Sequence, residues 1–113
     1  MKPFPELELT ETQIQGQVLD FLKAIKVRAW RNNTGKRGGV RYGLCVGSSD
    51  IIANFHGLFS AIEIKKPGEV PDADQWKFIN DAISDGGIGF YACSVDEVRD
   101  RLILEVKKRG LKK

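Results

Sequence analysis

At 113 residues, with 42% hydrophobic and 29% charged residues, the chain is long enough for one buried core and too short for two. No apolar run approaches the roughly 18 residues of a membrane span, and Cys45 and Cys93 stand far apart without CxxC spacing, which excludes a zinc knuckle or a disulfide framework. The net charge of +3 conceals an asymmetry: no acid occurs from Phe21 to Ser49, where Lys23, Lys26, Arg28, Arg31, Lys36, Arg37 and Arg41 all fall, and a basic tail runs from Lys107 to Lys113. Cations gathered in this way point to a polyanion partner.

Residues 1–9 read as an irregular lead-in without the apolar core of a signal peptide, so a reducing cytoplasm is expected, with both thiols free and buried among apolar neighbours. Thr10 and Gln13 form a capping box, and Ile14, Val18, Phe21, Leu22 and Ile25 then recur at helical spacing. Val27 to Trp30 predicts a short strand ending in Asn32-Asn33-Thr34-Gly35, with a flexible basic loop over Gly35 to Gly39. Gly35-Lys36 is no phosphate-binding loop, because the glycine five residues earlier and the following Ser or Thr are both missing.

Ile51-Ile52-Ala53 and Phe59-Ser60-Ala61-Ile62 are strand-like, with Asn54-Phe55-His56-Gly57 as turn material between them. A two-residue turn at His56-Gly57 sets Asp50 opposite Glu63, with Cβ atoms roughly 4.5–5.5 Å apart, and places Lys65 on the same face. A four-residue loop would instead pair Asp50 with Ala61 and leave Glu63 as a diagonal neighbour on that face. Opposed carboxylates repel unless a positive charge lies between them, and a hard divalent cation with oxygen ligands resolves this. The plainer reading is that Asp50 caps a turn while Glu63 pairs with Lys65 or Lys66.

Pro67-Gly68 ends the second hairpin strand, and Asp72 with Gln75 caps a helix carrying Phe78, Ile79, Ala82 and Ile83 up to Gly86-Gly87. Ile88 to Cys93 predicts a strand. Ser94 and Glu97 form a third capping box before a helix with Val98, Leu102 and Val106 on one face and Gly110 near its end. The order α, β, β-hairpin, α, β, α implies an α/β sandwich with the hairpin strands in the middle.

Glu11 lies beside the first helix's apolar stripe, where it either complements the helix dipole or reaches over the hairpin end toward a metal. Gln75 is an ordinary capping position. His56, the single histidine, sits at the turn tip, out of place for a general base, so proton handling falls to Lys65. Trp30 and Trp76 are read as packing residues that also have the π faces needed to stack on bases.

These residues together resemble a known family. Glu11 with Ile14-Gln15, Trp30-Arg31-Asn32-Asn33 with Gly35, Gly47-Ser48-Ser49-Asp50-Ile51, Ala61-Ile62-Glu63-Ile64-Lys65-Lys66-Pro67-Gly68, and Gln75 are similar to a stand-alone VRR-NUC domain. That is the small phage and bacterial branch of the PD-(D/E)xK nucleases, fused to other domains in Fanconi-associated nuclease. The likeness spans about residues 10–100. Two departures stand out: Ser49 where proline is common, and acids at Glu69, Asp72 and Asp74 between Glu63 and Gln75.

The resemblance implies one domain over residues 1–113, with its core at about 10–107. Its fold would be a restriction-endonuclease-like αβββαβ sandwich, a central mixed sheet flanked by helices. It implies Mg²⁺ or Mn²⁺ held by Asp50, Glu63 and the Ile64 carbonyl, with Glu11 as an auxiliary acid acting through water. Lys65 would stand at the attacking water, with Gln75 positioning it. The basic stretch supplies Arg28, Arg31, Asn33, Lys36, Arg37 and Arg41 as DNA contacts. The expected activity is structure-selective DNA cleavage, with viral members similar to homodimeric four-way junction resolvases and the fused form acting on flaps. No organic cofactor and no membrane contact are expected, in a phage-infected or bacterial cytoplasm. The alternatives are a non-catalytic nucleic-acid-binding module of the same fold, and a nuclease that nicks flaps or plain duplex.

Overall fold

The computed structural model describes residues 8–32, 35–37 and 40–112. The first helix, α1 (Glu11–Ala24), begins at Thr10, whose hydroxyl accepts from the Gln13 amide while Gln13 reaches back to the Thr10 N–H. Ile14, Val18 and Leu22 are buried, but Ile25 lies past the helix end and is exposed, so the stripe stops one turn short of expectation. Strand β1 (Arg28–Arg31) follows. The stretch from Gly35, expected as a flexible loop, instead forms β2 (Gly35–Arg37), which pairs antiparallel with β3 (Val40–Tyr42) in a separate two-stranded sheet.

The central hairpin of β4 (Ile51–Phe55) and β5 (Leu58–Ile64) turns at His56-Gly57. Both turn residues have positive φ, 53° and 81°, the signature of a type I′ turn whose twist matches the flanking strands. Phe55 pairs with Leu58 and Ile51 with Ile62. This is the two-residue register, and the four-residue alternative is excluded.

Helix α2 (Ala73–Ser84) carries the chain across to β6 (Ile88–Ala92), which pairs parallel with β5, and α3 (Val95–Arg109) follows. Parallel strands require such a crossover. The described residues thus form a four-stranded mixed sheet, β1-β4-β5-β6, with three helices. On one face, Ile14, Val18 and Leu22 of α1 and Val98 and Leu102 of α3 meet Ile51, Ile62, Ile64 and Phe90. Each such aliphatic side chain, fully buried, contributes roughly 1.5–3 kcal/mol.

Helix α2 lies against β5 and β6 on the opposite face. Ile79 and Ala82 are buried there, while Ile83 is exposed near the helix end. The third capping box is only half formed, for the Ser94 hydroxyl accepts from the Glu97 N–H but Glu97 itself accepts from Cys93 N–H. Glu105, buried beside α3's last turn, holds Arg109, whose guanidinium donates to the Gly86 and Gly87 carbonyls. No helix among the described residues is long and apolar enough to cross a membrane.

Candidate active site

Asp50 stands immediately before β4 at the end of a loop fastened by Asn32. The Asn32 Nδ2 donates to Ser48 Oγ at 2.8 Å and to the Ser49 carbonyl at 2.9 Å, and its backbone N–H donates to the Asp50 carbonyl at 2.7 Å. The loop is tightest at Gly47, where φ is +82° and an added Cβ would lie 2.5 Å from the Asp74 carbonyl oxygen at the start of α2. Held this way, Asp50 extends the β4–β5 ladder by one position and comes opposite Glu63. Its Oδ2 accepts from the Ile64 N–H at 2.9 Å.

Glu63 is 1% exposed. Its Oε2 accepts from Gln75 Nε2 at 3.0 Å and lies 3.8 Å from Lys65 Nζ, whereas its Oε1 is buried with no hydrogen-bond partner. Burial first, then the charge of Asp50, pushes the Glu63 carboxyl up to about 8 despite Lys65. An ionised Glu63 has no donor for Oε1; a proton or a cation placed between it and Asp50 satisfies that oxygen. Gln75 serves two ends, since its Oε1 accepts from Asp72 N–H in the capping box of α2 while its amide NH₂ holds Glu63.

Comparison with known proteins gives no match: no family model, no curated protein and no solved structure.

Glu11, half-buried in the first turn of α1, completes an outer acidic layer with Glu69. Burial first and a hydrogen bond with Glu69 second raise the Glu11 carboxyl, with Lys65 opposing; the same bond, then the Lys66 N–H, holds Glu69 low. Glu69 was not expected at the site. The turn through Gly68 folds it back so that it accepts from Lys66 N–H at 3.2 Å, and its earlier sign was only an unexpected excess of acid in that linker. Of the other acids there, Asp72 caps α2 and Asp74 lies in its first turn.

The structure therefore brings Asp50, Glu63, Ile64, Lys65 and Gln75 together, with Glu11 and Glu69 behind them. Among the described residues no three His, Cys, Asp or Glu side chains converge tightly enough to chelate an ion alone. A metal here would rest on the Asp50 and Glu63 carboxylates plus a backbone oxygen such as that of Ile64. This oxygen donor set suits Mg²⁺ or Mn²⁺, and the unpartnered Glu63 oxygen fits it.

Of the expected DNA contacts, Arg28 and Arg31 are exposed at opposite ends of β1, Arg31 reaching α1 beside Gly16. Asn33 lies outside the described residues, as do the side chains of Lys36, Arg37 and Arg41 on the β2–β3 hairpin. Both cysteines are free, but Cys45 is exposed rather than buried, because it sits in the bend between Gly43 and Val46 where Leu44 and Val46 are exposed as well. Cys93 is half-buried.

The Ser49 hydroxyl, fully buried next to Asp50, also lacks a partner. Removing a buried unsatisfied hydroxyl recovers roughly 1 kcal/mol. Ser49→Ala is expected to raise the melting temperature by about 4 °C, read by calorimetry, and to leave the site's chemistry intact.

Proposed function

We propose that this protein is a divalent-metal-dependent, structure-selective DNA endonuclease of the PD-(D/E)xK nuclease-like αβββαβ fold, acting as a homodimer on four-way junctions. The observation that carries this reading is the Asp50–Glu63 pair, set in register by a two-residue turn, with one buried Glu63 oxygen left without a donor and Lys65 at 3.8 Å. Dimerisation rests on a simpler argument. One small domain offers a single such site, while resolving a junction takes two symmetry-related cuts, which a two-fold dimer supplies from one gene.

Asp50 and Glu63 would hold a divalent cation, which when bound would supply Lewis acidity toward the scissile phosphate and a more nucleophilic water at neutral pH. Lys65 would orient that water through its ammonium, which also offsets the charge that grows on the phosphate. Gln75 fixes Glu63 from behind, so that the carboxylate does not swing away when it loses its proton. Glu11 and Glu69 present a further carboxyl layer through which water at the site is ordered. Arg28 and Arg31 contact backbone phosphates, which positions DNA without reading sequence.

The test compares a four-way junction, a flap and a linear duplex, each with Mg²⁺, Mn²⁺ or EDTA. Junction cleavage requiring metal is expected, with Asp50→Ala or Lys65→Ala each lowering the rate by roughly 10²–10³ while junction binding persists. Binding without cleavage under every metal condition would make the protein a non-catalytic module. Single nicks on flaps by a monomer would end the resolvase assignment.

A further inference from the structure

Trp30 is 56% exposed, although burial of an indole is among the largest apolar gains a chain of this size has available. Trp76, by contrast, stands edge-on to Tyr91 with ring centroids 5.5 Å apart. The register explains why Trp30 is open. It pairs with Ile52, which in turn pairs with Ala61, so all three lie on the face where Glu63 lies, yet α2 covers only β5 and β6 there. Strand spacing and rise put Trp30 roughly 12 Å from Glu63, measured between Cα atoms. Beside it, between α1 and the free edge of β1, runs a groove of about 650 Å³ lined by Lys23, Lys26, Arg28 and Arg31, with Asp20 as its one acid among the described residues.

We infer that this groove and Trp30 bind a nucleic-acid strand whose bases are freed from their stack, with one base lying on the Trp30 ring and its phosphates on Lys23, Lys26, Arg28 and Arg31. Four cations against one acid select a polyanion, and an indole rising among them supplies a flat surface that every base can use. Duplex DNA keeps its bases stacked inside and offers Trp30 nothing beyond phosphate contact. The groove thus narrows the substrate class to a branch with an unstacked base about two nucleotides from the cut. In that sense the inference rests on the nuclease reading, although the binding itself needs no metal.

The experiment uses the full chain in EDTA, with Trp76→Phe as background so that Trp30 is the sole indole. Probes are a 12-nucleotide single strand and a duplex of the same sequence. The single strand is expected to quench Trp30 fluorescence. Trp30→Ala should weaken single-strand binding at least fivefold, Trp30→Phe should restore most of it, and duplex binding should change less than twofold. Equal affinity of the Trp30→Ala variant and its parent for the single strand would overturn the inference. So would loss of self-association by that variant with oligonucleotide binding intact, which would mean that a second copy covers the groove. Junction cleavage is scored separately: quenching without cleavage retires the nuclease reading alone, and cleavage with unchanged Trp30→Ala binding retires the groove alone.

Discussion

Glu63→Gln is expected to abolish cleavage and at the same time to stabilise the metal-free protein at pH 8. The Glu63 carboxyl is pushed up to about 8 from an ordinary 4.5. Between those values the folded state holds a proton that the unfolded chain has released, so wild-type stability falls as pH rises through that window and levels off above it. The loss amounts at most to on the order of 5 kcal/mol. Glutamine removes it: its carbonyl still accepts from Gln75, and its NH₂ donates toward Asp50 where the proton had been. In EDTA, Glu63→Gln and wild type should melt together at pH 5 and separate by about 10 °C at pH 8. Added Mn²⁺ should then raise the wild type and leave the variant unchanged, because only the carboxylate exchanges its proton for a cation. Parallel wild-type and variant melting curves from pH 5 to pH 8 would contradict the geometry of the pair.

Gly47→Ala is expected to cost about 3 kcal/mol, combining a left-handed backbone with an overpacked contact. At φ +82° the new methyl would be driven to 2.5 Å from the Asp74 carbonyl oxygen, a backbone atom that cannot yield without moving the start of α2. Gly57 has nearly the same φ, +81°, but open space around it, so Gly57→Ala should lose only the conformational part, about 1 kcal/mol. Denaturant melts of the two variants separate the effects. Because Asp50 and Gln75 are anchored on either side of the Gly47–Asp74 contact, Gly47→Ala should also impair cleavage well beyond its effect on the folded fraction.

The parts of this fold that the sequence reveals are the parts decided locally. The turn at His56-Gly57 and the strands around it put Asp50 and Glu63 on one face in either register open to the sequence, and the structure takes the two-residue one. Thr10 with Gln13 and Asp72 with Gln75 mark helix starts through contacts three residues apart. What stays hidden depends on where elements stop or on distant neighbours. Ile25 and Ile83 continue their helical patterns in sequence, but the helices leave the core beneath them. The β2–β3 hairpin is built from glycine and basic residues with no alternation of apolar side chains to announce it. Glu69 reaches Glu11 only because a turn folds it back on a helix more than fifty positions earlier. Trp30 resembles a core residue until the limited reach of α2 leaves its face uncovered.

The placement of the His56-Gly57 turn also bears on how the chain folds. A hairpin closes from its turn outward, on a scale of roughly 1–10 μs, and here the rungs nearest the turn are Phe55 with Leu58 and Asn54 with Phe59. Asp50 and Glu63 are the last to meet, at the open end, where mutual repulsion favours fraying. What closes that end comes from far along the chain: β6 paired in parallel with β5, and Gln75 at the head of α2. These contacts span long stretches of sequence and form late. Closing that end means taking up a proton that the unfolded chain lacks, so refolding is expected to run faster at pH 5, where protons are plentiful, than at pH 8.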